Sequence, residues 1–487
     1  MPISPFSDAT ALLAALKAGE VSSVELVELY AGRIAAHNPV LNAIVLHDLD
    51  RAKTLAAQAD QDRQQGLERG PLHGLPVTIK DALSTRDFIT TDGSPDLATH
   101  QPERDADVVA RYRAAGAIIM GKTNLPLFSG DMQSFNDVYG VTNNPWDVTR
   151  TPGGSSGGAC AALAAGLTGL EIGSDIGGSI RSPSHYSGVF GHKPTFGIVP
   201  KAGHIPPPPG IAGEDSLSVV GPLARSTRDL ELALGVLAGP GWQQVEGWQL
   251  DLAEPRAEEL SGFRIGVWMD EAAAPLDEAV RGVLSRALGA LEGAGAVIDH
   301  DAKPPIGFDD LFEIYGVILS SIIMAGMPDA VIDMIRAGRD ALTGDEPAYH
   351  RAMTIGATMS HRDYQIYDER RWQLIKAFDD WFTRYDVILM PVTHITAFPH
   401  DHHPDFNART VSVNGQDTAY TDLLAWAAPA IISHCPATVI PVGRSEEGLP
   451  VGLQIMGRRY HDRTTLRFAK AAETVLGGFV PPPDFAG

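Results

Sequence analysis

Cysteine is almost missing from this chain: Cys160 and Cys435 are the only two in 487 residues. That excludes a disulfide-stapled secreted scaffold. Cys160 lies among Ala159, Ala161 and Ala162 and reads as a packing residue rather than a nucleophile. Positive charge is also short. Lys and Arg total 38 against 60 Asp and Glu, a net charge of −22, so nucleic acid and anionic membrane surfaces should be repelled. Long apolar runs are missing as well. The longest candidate, Ile314 to Met327, is too short to cross a bilayer. The first residues, Met1-Pro2-Ile3-Ser4-Pro5-Phe6-Ser7-Asp8, show no basic stretch followed by an apolar one, so no signal peptide is expected. There is no internal repeat and no long low-complexity linker. These absences together predict a soluble cytoplasmic protein with no nucleic-acid and no membrane partner.

What is present is an ordinary globular balance, 44% hydrophobic and 20% charged, on a chain long enough for a large core. Ser22-Ser23-Val24-Glu25 forms a capping box, and Val24, Leu26, Val27, Tyr30 and Ile34 follow at helical spacing. Asn38-Pro39 is expected to stop that helix. A second helix covers roughly 50–65. Then Leu75-Pro76-Val77-Thr78-Ile79-Lys80 reads as a short buried strand ending in a lysine, 107–115 as a helix and 117–120 as the next strand. This rhythm predicts an α/β fold. Further strands are expected at 170–172, 219–223, 263–268, 385–391, 439–443 and 453–457, with helices from Ser226 to about Ala238 and from about Thr464 to Leu476. His204-Ile205-Pro206-Pro207-Pro208-Pro209-Gly210 reads as a stiff extended loop. Strands at both ends of the chain favour one discontinuous core over two domains. The expected layout is a single domain, 1–487: a helical part at 1–66, a core at 67–300, a helical insertion at 301–380 that lines a pocket, and a return to the core sheet at 381–487.

Two glycine-serine loops carry the chemistry. The first is Gly153-Gly154-Ser155-Ser156-Gly157-Gly158; the second, Asp175-Ile176-Gly177-Gly178-Ser179-Ile180-Arg181, follows almost at once. Acyl transfer needs an activated serine and backbone N–H groups aimed at the developing oxyanion. Glycines let backbone amides converge on one oxygen. The first loop matches the G-x-S-x-G nucleophile elbow, but that motif needs a strand before it, and Asn144 to Pro152 is no strand. No Gly-Lys-Ser/Thr follows, which removes a P-loop, and the third glycine of a dinucleotide fingerprint is missing. With 50 glycines, single matches are cheap. Two such loops flanked by Asp175 and Arg181 and preceded by a buried lysine are not. None of the 16 histidines has a spacing that marks it as the base. Lys80 is the better candidate, because desolvation at the end of an apolar strand favours its neutral amine. The plain alternative is a salt bridge from Lys80 to Asp81 or another buried acid. His400, His402 and His403 around Asp401 form a histidine-rich run whose spacing is not specific for a metal.

Gly74-Leu75-Pro76-Val77-Thr78-Ile79-Lys80-Asp81, Thr151 to Gly158, Gly173 to Arg181 and Gly188-Val189-Phe190-Gly191-His192-Lys193-Pro194-Thr195 resemble the amidase signature family. The late segments Tyr385 to Pro391 and Gly448 to Gln454 extend the resemblance over nearly the whole chain. It implies a large mixed, twisted β-sheet with α-helices on both faces. It also implies a Ser–cis-Ser–Lys triad: Ser179 as nucleophile, Ser155 as bridging serine after a cis peptide from Gly154, and Lys80 as base. The amides of Ile176, Gly177, Gly178 and Ser179 would form the oxyanion hole, and Asp175 and Arg181 would pair behind the loop. In the family the region of Ser129, Gly130 and Asp131 lines the acyl pocket, and Phe128-Ser129-Gly130-Asp131-Met132 departs from the common form. Ser433-His434-Cys435-Pro436-Ala437 departs as well.

The resulting expectation is a hydrolase of carboxamide C–N bonds that acts through a seryl acyl-enzyme on aryl or alkyl amides, with carbamates and esters as related substrates. It needs no cofactor and no metal. Its expected partners are a small-molecule amide or carbamate and a second copy of itself. The Ile314–Met327 stretch and the loop near Pro206 are candidate walls of a wide apolar pocket, against the plain alternative of a core helix. Two other readings stand beside this one: the glutamine-hydrolysing subunit of a tRNA-dependent amidotransferase, against which −22 argues, and a non-catalytic binding subunit of the same fold.

Overall fold

The computed structural model describes residues 3–339, 342–343, 346 and 348–486. The capping box forms as the sequence requires: Ser22 Oγ accepts from the Glu25 amide at 3.1 Å, and the Glu25 carboxylate accepts from the Ser22 amide at 2.7 Å. The helix it starts, Ser23–Leu41, does not stop at Asn38-Pro39. Its end is set by Asn38 itself. Asn38 O accepts the Asn42 amide at 2.7 Å, and its side-chain oxygen accepts the amides of Ala43 and Ile44. Asn42 then closes the helix in the left-handed conformation, φ 50°.

The strands do not form one sheet. A three-stranded sheet holds Ile118–Thr123 in its centre, antiparallel to Ile44–His47 and parallel to Pro76–Lys80. An eight-stranded mixed sheet runs in the order Ile298–Asp299, Ile265–Val267, Val387–Pro391, Pro450–Gly457, Ala437–Arg444, Phe190–Lys193, Val219–Ala224, Glu171–Asp175. Only the pairs made by Ile265–Val267 are parallel. Helices cover both faces; Asp462–Leu476 and Glu278–Gly293 pack on Ala437–Arg444 and Pro450–Gly457, as does the short helix Arg181–Ser187. Lys80 thus ends an edge strand of the small sheet, while Ser179 follows the edge strand of the large one. The strands Pro76–Lys80 and Glu171–Asp175 lie against each other, which brings the two sheets together at the glycine loops.

The region expected as a helical insertion holds helices Phe308–Ile323, Asp329–Arg339, Ala348–Thr358 and His361–Trp381. Asp340, Ala341, Gly344, Asp345 and Pro347 of that stretch lie outside the described residues. In Phe308–Ile323, Leu311, Tyr315, Val317 and Ile318 are buried, while Ile323 at its end and Met327 beyond it are exposed. Among the described residues, no helix is long and apolar enough to cross a membrane. Phe308 is fixed against Trp268 and Trp426, with ring centroids 5.7 and 5.4 Å away. This anchors the start of the helix that carries Tyr315. The proline loop is not uniformly extended: Ile205–Pro206 and Pro206–Pro207 are both cis, a geometry the X–Pro amide tolerates.

Candidate active site

Lys80 is fully buried where the two strands Pro76–Lys80 and Glu171–Asp175 meet. Its Nζ donates to Ser155 Oγ at 2.6 Å and to Ser174 Oγ at 3.0 Å. Burial pulls its pKa down to about 8, while the charges of Asp92, Asp175 and Glu171 act in the opposite direction. The expected alternative, a pair with Asp81, is not what forms. Asp81 faces the ammonium of Lys122 at 3.6 Å and accepts from the amide and hydroxyl of Thr91. Lys122 is also drawn down to about 8 by burial, yet it donates to Leu83 O, Thr85 and Thr90 and reaches neither glycine loop. Of these two buried lysines, only Lys80 is bonded to the serines.

The first loop is held by its own packing. The Gly154–Ser155 peptide is cis. A Cβ at Gly154 would fall 2.5 Å from Asp131 O and 2.6 Å from the Gln133 amide nitrogen, so only glycine fits. Ser134 Oγ donates to Gly153 O at 2.9 Å and accepts from the Gly157 amide at 3.1 Å. Ser155 is almost fully buried. Beyond it, helix Gly157–Ala164 is buried along its whole length, with Cys160 inside it as expected of a packing residue.

The second loop is tied from behind. Arg181 Nε and Nη2 each donate at 3.0 Å to the two oxygens of Asp175, and both side chains are fully buried. Arg181 Nη1 also donates to Gln454 Oε1 at 2.6 Å and Ala427 O at 3.0 Å. Burial pushes the Asp175 carboxyl up, but Arg181, Lys193 and the Ile180 amide outweigh it and hold the group below its ordinary value. The Gly178 amide, expected to face an oxyanion, donates instead to Asp175 Oδ1 at 2.9 Å. The carboxylate is a strong acceptor within reach, so this amide anchors the loop. Among the described residues, the amides of Ile176, Gly177 and Ser179 form no hydrogen bond. Ile176 O accepts from Tyr315 Oη at 3.1 Å. A Cβ at Gly177 would meet Leu424 and the Tyr315 hydroxyl, and one at Gly178, whose φ is 94°, would meet Ser182 and Ala427. Ser179 is 8% exposed, the only one of the three expected catalytic residues with notable access to solvent.

The residues expected to bind substrate lie on a turn beside this centre. Ser129 Oγ donates to Asp92 Oδ1 at 2.9 Å, and the Gly130 amide donates to Leu127 O. Both oxygens of Asp131 are taken: Tyr420 Oη donates to one and Arg409 Nη1 to the other, each at 2.6 Å. Its side chain is therefore a structural tie to the hairpin Thr410–Val413/Gln416–Ala419 region, and what this turn presents to the site is its backbone. Sequence reasoning missed Ser174 and Asp92. Ser174 immediately precedes Asp175 in the quoted motif, and its place two residues after Ile172, on the same face of the strand, was the available signal. Asp92 gave none. In the histidine run, His400 bonds Asn143, His402 stacks on Phe135 and lies 5.4 Å from the His400 ring, and no group of three metal-ligating side chains forms among the described residues.

Set against known proteins, the chain matches the Amidase family model over residues 25–466. A glutamyl-tRNA(Gln) amidotransferase subunit from Chloroflexus aurantiacus is 34% identical over 481 residues, covering 95% of either chain. Among solved structures, the peptide amidase of Stenotrophomonas maltophilia superposes with TM-score 0.77 at 27% identity, covering 99% of each chain. A structure of a vestigial complex bearing on the origins of an s-triazine catabolic enzyme superposes with TM-score 0.80 at 27% identity over 98% of this chain and 100% of that one. A family match over nearly the whole length, on a fold shared from end to end, places the chain in the amidase family of amidase signature enzymes.

Proposed function

We propose that this member of the family hydrolyses carboxamide C–N bonds through an acyl-enzyme on Ser179, with Ser155 as proton shuttle and Lys80 as base. The observation that carries the reading is the 2.6 Å contact between Lys80 Nζ and Ser155 Oγ at the foot of both loops. As a neutral amine, Lys80 accepts the Ser155 hydroxyl proton while Ser155 takes that of Ser179, and Ser179 Oγ attacks the carbonyl carbon. The oxyanion is taken by the unbonded amides of Ile176, Gly177 and Ser179. The proton then returns from Lys80 through Ser155 to the leaving nitrogen, the C–N bond breaks, and water cleaves the ester by the same relay. The backbone of Ser129, Gly130 and Asp131 borders the acyl group.

For substrate, we favour small amides with apolar acyl or amine groups, and related carbamates. Leu424, Ala427 and Tyr315 crowd the oxyanion loop, and a charge of −22 is a poor surface for tRNA. A second reading has its own support: the curated relatives at 32–34% identity are named as glutamyl-tRNA(Gln) amidotransferase subunits, which points to glutamine as amide donor and to work within a larger assembly. One panel separates them, with acyl anilides, alkyl amides, aryl carbamates and L-glutamine assayed on the purified chain and on Ser179→Ala. Hydrolysis of anilides or alkyl amides, lost in the variant, supports the first reading; ammonia from glutamine alone supports the second.

A further inference from the structure

The segment 131–134 has no regular secondary structure, so no ladder of backbone hydrogen bonds fixes it. Its place matters because the first glycine loop rests on it. A methyl group at Gly154 would overlap Asp131 O and both the amide nitrogen and the carbonyl oxygen of Gln133. Ser134 bonds the same loop on either side of Ser155, at Gly153 O and the Gly157 amide. What holds this segment is the chain between Asp401 and Tyr420. The Gln133 side chain exchanges two bonds with the Asp401 backbone: Nε2 donates to Asp401 O at 2.6 Å, and the Asp401 amide donates to Oε1 at 3.1 Å. Arg409 Nη1 and Tyr420 Oη each donate to Asp131 at 2.6 Å. Arg409 is itself fixed. Its Nε donates to His403 O at 2.6 Å, and its guanidinium lies 4.5 Å from the Phe406 ring centre and 5.3 Å from that of Tyr420. Tyr420 in turn meets Phe398 edge-on at 5.9 Å. The Arg409 and Asp131 side chains are 3% and 7% exposed, so water scarcely competes for this charge-assisted bond.

We propose that Arg409 is a positioning residue for the bridging serine: by holding Asp131 it fixes the segment 131–134 on which Gly154 rests, and so sets where Ser155 Oγ meets Lys80. The inference rests on the serine–lysine reading above. In that reading Ser155 passes protons between Lys80 and Ser179 and hands one to the leaving nitrogen. Its 2.6 Å contact with Lys80 leaves little room. A displacement of about 1 Å takes the hydroxyl out of good hydrogen-bond reach and costs about 10²-fold in rate. Without the guanidinium, Asp131 keeps a buried carboxylate with neutral donors only, from Tyr420 Oη and the Gln133 amide. Such a carboxylate turns toward water and takes its backbone with it. No atom of Arg409, Asp131 or Tyr420 gains or loses a proton or a bond in the reaction. The role has a chemical signature. An amide nitrogen departs only when Ser155 protonates it, whereas a nitrophenolate departs as a stable anion and needs no proton. Displacing Ser155 therefore slows an amide more than a nitrophenyl ester of the same acid.

The test is the ratio of kcat/KM for an acyl anilide to kcat/KM for the nitrophenyl ester of the same acid. It is measured on wild type, Arg409→Met, Arg409→Lys, Tyr420→Phe and Ser155→Ala. The ratio should fall about tenfold in Arg409→Met, part of the penalty for a misplaced relay. It should fall less in Tyr420→Phe, which removes one hydroxyl, and should be partly restored in Arg409→Lys, which returns a cation to Asp131. Ser155→Ala should lower it furthest. A structural role alone would reduce the amount of active protein, slow both substrates in proportion and leave the ratio in place. Should Arg409→Met fail to fold, Arg409→Lys and Tyr420→Phe carry the comparison. A ratio unmoved in every folded variant of Arg409 and Tyr420, while Ser155→Ala lowers it, overturns the positioning role alone. A ratio unmoved in Ser155→Ala defeats the serine–lysine relay itself and the positioning role with it.

Discussion

Lys80 Nζ lies 2.6 Å from Ser155 Oγ across 75 positions of sequence. The contact joins the small sheet to the first glycine loop, and Ser174 Oγ, on the edge strand of the large sheet, shares the same ammonium. A lysine fully withdrawn from water and bonded to two hydroxyls is held in one place. That is what a base acting through a serine requires.

Replacing Lys80 by alanine should lower kcat by about three orders of magnitude or more, within the usual range for loss of a positioned general base and its relay. Replacing Lys122 by methionine should act differently. It strands the buried Asp81 carboxylate and should cost about 3–5 kcal/mol of stability by urea unfolding. Equal kinetic effects in the two variants would contradict the separate roles.

The pH dependence has a fixed sign. Lys80 must be neutral to act, and burial brings its pKa to about 8. The kcat/KM of the wild type should therefore rise with pH and level off above about 8, because this ratio reports the free enzyme. A profile that falls over the same interval would rule out a neutral lysine base.

Arg181→Met should leave the Asp175 carboxylate buried without its cation and release the loop it braces. The expected loss is about 3–5 kcal/mol in denaturant unfolding, accompanied by loss of active-site labelling even in the folded fraction. Stability within experimental error of wild type would show that the pair does not brace the loop.

Tyr315→Phe removes the donor to Ile176 O and nothing else in the site. A single hydrogen bond of about 0.5–1.5 kcal/mol predicts a fall in kcat/KM of about two- to tenfold. Unchanged kinetics would show that this helix does not orient the oxyanion loop.

Much of this was legible in the residues. The capping box at Ser22 and Glu25, the strand ending at Lys80 and the Asp175–Arg181 pair follow from local pattern and from the family resemblance. The extension of the helix to Leu41 was not, because Asn38 acts through side-chain bonds to Ala43 and Ile44 that no propensity encodes. Nor was the separation of a three-stranded sheet from the eight-stranded one, since strand pairing is set by contacts distant in sequence. The Gly178 amide looked like an oxyanion donor by position, and its carboxylate partner appears only once the loop is folded. Asp92 was invisible for the same reason: a lone acid in Thr91-Asp92-Gly93 reads as a turn residue, and only the fold places it against the lysine strand.

The account depends above all on Ser179 being the residue that makes the bond. Peptide mapping by mass spectrometry after treatment with a fluorophosphonate tests this directly. The account predicts one adduct per chain, on the peptide containing Ser179, lost in Ser179→Ala and strongly slowed in Lys80→Ala. An adduct on Ser155, or modification that survives Ser179→Ala, would contradict it.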